Sequence, residues 1–368
     1  MRIFLYEFIT GGGLLADPDP FPASLLAEGL AMLTALAADL AAIPHVQVAV
    51  MRDHRVTQSR TADQRRGTRT PLAVTRDQSV AFADTTPAVH SHLVHDPGQE
   101  PEIFERLVCA SDAAILIAPE FDGHLQMRAA QAEQVGIQLL SPGSHTIALC
   151  ADKHRTARHL AAHDVPVPPG RLIEPGQPLP PDFTYPAVLK PVDGAGSLGV
   201  RRIESPDDWN QQSHRDRDRP HRLERFQPGL PASVAVLCGP GDPLPLPACR
   251  QRLSEEGQFR YLGGSLPLSD DLDRRARRLA TRAVATLGDV RGYIGVDLVL
   301  GDVPDGAADV VIEINPRLTT SYVGLRAATD HNLAEAMLAA IAGRPPALSF
   351  PGLPVQFDAD GTIHASFP

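Results

Sequence analysis

The segment PAVLKPVDGAGSLGV, residues 186–200, combines a predicted strand that ends at Lys190 with a glycine-rich loop directly after it. Loop glycines let backbone N–H groups approach phosphate oxygens closely, and a lysine at the strand end adds a positive charge. Because the lysine precedes the glycines, the loop is not a Walker A motif, and it lacks the spacing of a dinucleotide fold. We predict a phosphate-binding loop and keep a plain hairpin turn as the alternative. The loop residues of interest are Gly194, Gly196, Ser197 and Gly199.

A second motif, DVVIEINPR at 309–317, predicts a strand that carries polar side chains on one face. Residues two apart on a strand face the same side, so Glu313, Asn315 and Arg317 should project together, and a paired strand could bring Asp297 opposite them. Two carboxylates and a carboxamide oxygen suit Mg²⁺ that also binds substrate phosphates. An arginine beside such a site can stabilise charge on a transferred phosphoryl group. The alternative is an edge strand whose acid faces water.

Two further segments gain meaning beside these motifs. Residues 148–168 predict one helix with Lys153 near its start, and RLERFQPG at 222–229 predicts a short strand followed by a loop. Backbone groups of Arg225 and Phe226 in that loop could bond the edge of an adenine ring. Lys153 and Lys190 are the only lysines among 34 Lys and Arg, a weak sign that both sites need a compact point charge.

In this order the four segments resemble the ATP-grasp superfamily, over residues 144–343. The resemblance implies ATP with Mg²⁺ (or Mn²⁺) as cofactors, Lys190 and Arg317 as catalytic residues, and a glycine loop that closes over the β and γ phosphates. The implied metal ligands are Asp297, Glu313 and Asn315. The implied nucleotide-binding residues are Lys153, Lys190, Gly194, Gly196, Ser197, Gly199, Glu224, Arg225 and Phe226. Family hinges often carry a ribose-binding acid after the glycine, whereas Leu230 follows Gly229 here, so the ribose contact stays open.

Periodicity predicts a mixture of α/β and α+β units. An N-terminal α/β domain with a mainly parallel sheet is predicted from strands at 2–8, 46–50, 113–119 and 137–140 and helices at 22–42 and 125–135. A polar loop is predicted at about 53–70, between its second and third strands. Later strands are predicted at 186–190, 199–203, 233–237, 293–300 and 309–315, and helices at 270–288 and 332–342. The Pro-rich tail after 344 is expected to wrap the surface. The predicted units are a pre-ATP-grasp domain at 1–143, a central ATP-grasp subdomain with the glycine loop at 144–222, and a C-terminal subdomain with the metal site at 223–368.

Composition excludes several classes of protein. The chain is 43% hydrophobic and 21% charged, and we expect no apolar run to reach the length of a bilayer span, so a cytoplasmic protein without a membrane partner is predicted. A net charge of -10 argues against nucleic acid, the Arg-rich segment 52–76 being the local exception. The four cysteines, at 109, 150, 238 and 249, form no metal or redox motif and are expected in the core.

Within the superfamily, four segments resemble the tyramine–glutamate ligase group of methanofuran and methylofuran biosynthesis: YEFITGGGL, IAPEFDGHL at 117–125, RQRL at 250–253 and YLGGSLP at 261–267. The resemblance implies that the γ-carboxylate of glutamate is phosphorylated and then attacked by tyramine or a related amine. The partners would be a small carboxylate and a small amine, and a homodimer is expected by resemblance alone. The implied substrate residues are Glu7, Gly12, Glu120, Gln251, Arg252, Thr319 and Ser321.

Three alternatives stay open at this point. The first is another ATP-grasp amino-acid or peptide ligase, or a carboxylase-like relative. The second is a regulatory protein that binds nucleotide without turnover, although an intact acid-bearing strand argues against it. The third is a dinucleotide-dependent oxidoreductase using the N-terminal glycines, whose spacing does not match that motif.

Overall fold

The computed structural model describes residues 1–17, 23–56, 88–211 and 218–365. The predicted loop at 53–70 and the Arg-rich segment 52–76 therefore lie mostly outside the described residues. The chain forms three units, each built around its own sheet.

The N-terminal unit is an α/β domain with a five-stranded parallel sheet, as the sequence predicts. Its strands, in the spatial order β3-β2-β1-β4-β5, are β1 (Arg2–Glu7), β2 (Gln47–Asp53), β3 (Val89–Val94), β4 (Ala113–Ile117) and β5 (Gln138–Leu139). Its helices are α1 (Ala23–Ala41), α2 (Gln99–Cys109) and α3 (His124–Val135). Sequence patterning missed β3 and α2. β3 is a half-exposed edge strand of sequence VHSHLV, which gives only a weak apolar signal.

The central unit begins with two helices where one was predicted. They are α4 (Ser144–Ala151) and α5 (Lys153–Ala162), and Asp152 interrupts them with an extended backbone. The Asp152 carboxylate accepts hydrogen bonds from the backbone N–H groups of His154 and Arg155, so it caps α5 and makes Lys153 its first residue. A predicted helix cannot reveal such a break, because Asp is compatible with both a helix interior and a cap.

A four-stranded antiparallel sheet completes this unit in the order β6-β9-β7-β8. Its strands are β6 (Gly170–Ile173), β7 (Ala187–Pro191), β8 (Arg201–Ile203) and β9 (His221–Arg225). β7 and β8 form a hairpin around the glycine-rich loop, so the two alternatives raised for that loop are compatible. β9 crosses the expected boundary between residues 222 and 223, which extends the central unit through Arg225.

The C-terminal unit is an eight-stranded antiparallel sheet in the order β15-β14-β10-β12-β13-β16-β17, with β11 beside β10. Its strands are β10 (Leu230–Cys238), β11 (Leu244–Pro245), β12 (Cys249–Leu253), β13 (Tyr261–Leu266), β14 (Gly292–Leu300), β15 (Val310–Asn315), β16 (Val355–Asp358) and β17 (Ile363–Ala365). Its helices are α6 (Asp270–Ala285), α7 (Ser321–Ala327) and α8 (Leu333–Ile341). The expectation that the tail wraps the surface is wrong, because β16 pairs with β13 and buries Phe357 completely.

Helix α1 joins the N-terminal and C-terminal units. By length and composition its 19 residues could cross a membrane, contrary to our expectation, but half of the apolar window is buried inside the protein. α1 packs against α7 and α8. The buried Asp39 of α1 accepts hydrogen bonds from Tyr322 Oη at 2.6 Å and Arg326 Nε at 2.6 Å. A core helix between two units accounts for this apolar composition.

Candidate functional site

A cavity of about 370 Å³ lies where the three units meet. Fifteen of the predicted site residues line it: Lys153, Lys190, Gly194, Gly196, Ser197, Glu224, Arg225, Phe226, Gln251, Asp297, Glu313, Asn315, Arg317, Thr319 and Ser321. Segments far apart in sequence thus converge on one concave space, which is the usual form of a small-molecule site.

The two predicted metal-binding acids lie directly opposite each other on β14 and β15. Asp297 pairs in register with Glu313, and a bulge follows between Asp297 and Leu298. Asn315 Nδ2 donates to Asp297 Oδ2 at 3.1 Å, and Gln251 Nε2 donates to Asp297 Oδ1 at 2.9 Å. The cross-strand geometry expected from alternation is therefore present.

Arg317 departs from the prediction in one respect, because β15 ends at Asn315. The Arg317 N–H donates to the Asn315 carbonyl at 2.8 Å, so the chain turns immediately after the strand. The guanidinium reaches the same cavity through this turn. Arg317 therefore lies beside Glu313 and Asn315 as predicted, but a turn places it there and not the alternation of side chains along a continuous strand.

The acid pair is electrostatically uneven. Burial and then the charge of Glu313 raise the pKa of Asp297 to about 8. Burial also acts to raise the pKa of Glu313, but the charges of Lys153 and Lys190 outweigh it and hold that pKa at about 2. Near neutral pH the two carboxylates therefore hold one proton between them. A divalent cation bound by both carboxylates could take the place of that proton.

These residues fit a hard cation. They offer carboxylate and amide oxygens, as Mg²⁺ prefers, and leave the other positions to phosphate oxygens or water. Within the described part of the chain, no group of three His, Cys, Asp or Glu is placed to hold a metal ion. The chemistry of the donor set therefore favours a cation shared with a phosphate ligand over a metal held by protein alone.

Two lysines flank the acids, and each has a carboxylate partner. Lys153 Nζ lies 3.2 Å from Glu313 Oε2 and donates to the Gly194 carbonyl at 2.8 Å. Burial lowers the pKa of Lys153, but the charges of Glu313 and Glu120 outweigh it and raise that pKa overall. Lys190 Nζ, which is 3% exposed, lies 2.7 Å from Glu224 Oε1. Both lysines are thereby held at the cavity wall.

Glu224 is held between two cations. Its second oxygen accepts from Arg222 Nε at 2.8 Å, and the residue is 3% exposed. Both carboxylate oxygens of this predicted nucleotide-binding residue are therefore already hydrogen-bonded. Glu224 fixes Lys190 in place, and its contact with a nucleotide stays a prediction.

The predicted adenine-binding segment at 222–229 has fewer free backbone groups than expected. The Arg225 N–H donates to the Pro169 carbonyl at 2.9 Å, and the Phe226 N–H donates to the Pro186 carbonyl at 3.1 Å. Neither N–H is available to an adenine edge, although both residues line the cavity. The next N–H, that of Gln227, has no acceptor among the residues that the structure describes. The sequence could not show this, because the acceptors belong to distant loops.

The glycine-rich loop covers the cavity and contacts α1. Gly196 and Ser197 adopt left-handed conformations, with φ of 62° and 59°. A Cβ atom at Gly196 would lie 2.8 Å from Leu25 Cδ2, so the loop and the helix are in close contact. Gly199 does not line the cavity; its own φ is 74°, and it packs against Pro191 at the base of the loop.

The predicted substrate residues divide into two groups. Gln251, Thr319 and Ser321 line the cavity, and Tyr293 Oη lies 3.1 Å and 3.0 Å from the hydroxyl oxygens of Thr319 and Ser321. Glu120 does not line it, but it binds Arg317. Glu28 and Tyr261 are among the lining residues that the sequence analysis did not select as site residues.

The other three predicted substrate residues, Arg252, Glu7 and Gly12, do not line the cavity. Arg252 points to the opposite face of β12, where it pairs with Asp358, because neighbouring strand residues alternate. Glu7 is buried and accepts hydrogen bonds from Ile9 and Thr10, which makes it part of its own turn. Gly12 has φ of 99° and packs against Leu15 and Val94. The only early sign of Glu28 was an acid within an apolar helix.

Comparison with known proteins agrees with this architecture. The family described as the ATP-grasp domain matches residues 150–321, and the family described as the pre ATP-grasp 3 domain matches residues 70–147. The chain therefore contains an ATP-grasp domain preceded by a pre-ATP-grasp domain, and it has the ATP-grasp fold. An ATP-grasp superfamily protein from Archaeoglobus fulgidus superimposes with a TM-score of 0.65 at 24% identity, over 97% of this chain and 92% of that one.

Two ligases are among the similar proteins. The tyramine–L-glutamate ligase of Methanocaldococcus fervens is 27% identical over 227 residues, which are 62% of this chain and 65% of that protein. The alignment thus spans slightly less than two thirds of that curated relative. The L-amino acid ligase of Bacillus licheniformis has a TM-score of 0.62 at 18% identity, over 96% of this chain and 78% of that one.

Proposed function

We propose that the protein is an ATP-dependent carboxylate–amine ligase that forms an amide through an acyl phosphate. The single observation that supports this best is the convergence of Lys153 and Glu313, 3.2 Å apart, with Asp297, Arg317 and the glycine loop around one cavity. Cations for phosphate, acids for a divalent cation and an arginine for developing charge are the components that phosphoryl transfer requires.

The chemistry assigns a role to each group. A carboxylate oxygen is a poor leaving group, so amide formation in water requires prior conversion to a mixed anhydride with phosphate. Lys153 and Lys190 would bind the phosphates of ATP, and Arg317 would stabilise the charge on the transferred phosphoryl group. Asp297, Glu313 and Asn315 would hold Mg²⁺, which supplies further charge neutralisation. The covering loop would keep water from the acyl phosphate.

A cysteine nucleophile has no support in the structure. Cys150, Cys238 and Cys249 are buried, and burial raises the pKa of each thiol to about 12. Cys109 is exposed and lies at the end of α2, away from the residues that line the cavity. An acyl phosphate therefore suits this site better than an acyl-enzyme.

For the substrates, we propose glutamate as the carboxylate and tyramine or a related phenolic amine as the nucleophile. The similarity to the tyramine–L-glutamate ligase supports this pairing. So do the phenol of Tyr261 and the hydroxyl groups of Thr319 and Ser321, which line the cavity. The similarity in fold to an L-amino acid ligase favours a second candidate, the joining of two amino acids. A cytoplasmic location follows from the use of ATP and is part of the same proposal. A homodimer stays a prediction.

The test is a matrix of acids against amines with ATP and Mg²⁺, scored by ADP release and by product mass. We expect ADP release that requires both glutamate and a phenolic amine, and a product whose mass equals the sum of the two reactants minus one water, as the formation of one amide requires. Glu313→Gln should remove turnover, whereas Glu102→Gln, an exposed residue on α2, should retain it. ATP binding without ADP release for any pair would support the regulatory alternative.

A further inference from the structure

One acid in the cavity is not used in the chemistry above. Glu28 reaches the cavity from α1, in the N-terminal unit, whereas the metal acids come from β14 and β15. Its carboxylate accepts one hydrogen bond, from Thr320 Oγ1 at 3.3 Å. Among the described residues, no Lys, Arg or His nitrogen lies within salt-bridge distance of Glu28, which makes it a carboxylate without a cation.

The other charges of the cavity explain why this acid is in surplus. Lys153 pairs with Glu313, and Lys190 pairs with Glu224. Arg317 is the positive charge that most influences Glu28, yet its guanidinium already forms two hydrogen bonds with Glu120. Because each of these cations has its own acid, the charge of Glu28 remains for a cation that the protein does not supply.

The position of Glu28 is rigid. The next residue, Gly29, lies against the buried Glu7, so close that a Cβ atom there would be 2.8 Å from the Glu7 carboxylate. One helical turn before Glu28, Leu25 contacts the glycine loop, and further along α1 the Asp39 carboxylate is bound by Tyr322. A side chain carried on such a fixed helix is suited to hold one group of a ligand in place.

The surroundings of Glu28 indicate the class of ligand. Burial raises the pKa of the Tyr261 phenol well above its usual range, and the charges of Cys249 and Glu28 raise it further. Tyr261 lines the cavity, and so do Thr320 and Ser321. An aromatic ring beside hydroxyl groups and an unpaired carboxylate is complementary to a primary amine with an apolar or aromatic body. A carboxylate ligand would be repelled from this end of the cavity.

We propose that Glu28 binds the ammonium group of the amine substrate and accepts its proton before the amine attacks the acyl phosphate. This inference rests on the proposed function. A proton passes from the ammonium nitrogen to a Glu28 oxygen, and the freed lone pair forms the N–C bond. The C–O bond to phosphate then breaks, its electron pair leaves with phosphate, and the departing phosphate accepts the second nitrogen proton as the amide forms. Burial raises the pKa of Glu28 to about 6, which makes it a stronger base than an ordinary carboxylate.

Hydroxylamine separates this role from other roles. It is mostly uncharged near neutral pH, so it needs neither an ammonium site nor a base, and it captures acyl phosphates as hydroxamates. We expect Glu28→Gln to retain hydroxamate formation from glutamate and ATP within about threefold of wild type. With tyramine, the variant should lose at least about 100-fold in kcat/KM. Glu102→Gln is the matched control and should retain both reactions.

Three outcomes would contradict the proposal. An equal loss of hydroxamate and amide formation would show that Glu28 acts in carboxylate activation or in folding. Unchanged amide formation would show that Glu28 has no role in binding or deprotonating the amine. Calorimetric titration of tyramine into protein saturated with a non-hydrolysable ATP analogue provides an independent measurement. Glu28→Gln should weaken tyramine binding at least about tenfold, equivalent to about 1.4 kcal/mol, and equal binding would overturn the assignment. Absence of hydroxamate in the wild-type protein would instead contradict the proposed function.

Discussion

Arg317 donates two hydrogen bonds to Glu120 across the interface between the C-terminal and N-terminal units. The distances are 2.8 Å from Nε to Oε1 and 3.1 Å from Nη2 to Oε2, and both side chains are nearly buried. This bidentate contact holds the guanidinium at the edge of the cavity before any substrate is present. The pre-ATP-grasp unit therefore positions a residue of the ATP-grasp site.

Replacement of Arg317 by lysine should keep the positive charge and remove the bidentate contact with Glu120. We expect kcat/KM to fall at least about 100-fold, because an ammonium group cannot bind Glu120 and a phosphoryl oxygen in one plane. Steady-state kinetics of ADP release measures this. The control is Arg171→Lys, which alters a similar pair with Asp182 on the exposed surface and should leave kcat/KM unchanged. An active Arg317→Lys enzyme would show that only charge is required there.

The scarcity of lysine makes direct labelling possible. Lys153 and Lys190 are the only lysine side chains in the chain, and both line the cavity. A reagent that acylates amines should therefore modify these two positions and the N-terminus, and ATP with Mg²⁺ should slow modification of the lysines at least about tenfold. Peptide mass spectrometry gives the rates, with the N-terminal amine as an internal control. Equal rates with and without ATP would contradict the assignment of both lysines to phosphate binding.

Gly196→Ala should impair the covering loop. The residue has φ of 62°, and a Cβ atom would lie 2.8 Å from Leu25 Cδ2, so the loop would be strained and displaced from α1. We expect the KM for ATP to rise several-fold, on the order of 1 kcal/mol of lost binding. The double variant with Leu25→Ala should recover part of this loss, because the clash is relieved. Gly241→Ala, with no neighbour within 4 Å of its Cβ position, is the control.

Tyr322→Phe should weaken the junction of α1 with the C-terminal unit. The phenol donates to the buried Asp39 at 2.6 Å, and its removal leaves a carboxylate oxygen with fewer donors. We expect unfolding to become easier by about 1–3 kcal/mol, measured by urea denaturation. Tyr185→Phe removes a hydrogen bond from a half-buried phenol to the Pro180 carbonyl and should cost less. Equal costs for the two variants would argue against a special role for this junction.

Glu28 should impose a pH dependence on stability. Burial raises its pKa from 4.5 to about 6, against the opposing charge of Arg317 and the hydrogen bond from Thr320. An acid with a raised pKa stabilises the fold most below its unfolded pKa, and that contribution is lost as pH rises through about 6. The free energy of unfolding of Glu28→Gln, relative to that of the wild type, should therefore be higher by about 1–2 kcal/mol at about pH 8 than at about pH 4. Parallel denaturation curves at the two pH values measure the difference, and Glu102→Gln should show none.

Local sequence determined the chemistry-bearing strands. The alternation in β15, the apolar pattern of β14 and the glycines after β7 all depend on neighbours in sequence, so the opposition of Asp297 to Glu313 was predictable. The same is true of four of the five strands in the parallel N-terminal sheet, whereas the half-exposed edge strand β3 carries too weak an apolar signal to be predicted. Predictions needed correction where a distant partner decides the outcome. The Arg225 and Phe226 N–H groups donate to Pro169 and Pro186, which leaves only backbone carbonyls of these two residues for an adenine ring, and Arg252 faces Asp358.

The family of fold and the set of groups available for phosphate and metal are thus readable from the sequence. Which acids face the cavity from the N-terminal unit depends on the packing of the three units. There the expected Glu7 is enclosed in its own turn, Glu120 binds Arg317, and the unforeseen Glu28 reaches the cavity. The physical reason is that strand alternation and loop chemistry are local properties, whereas the orientation of α1 depends on packing against β1, α7 and α8.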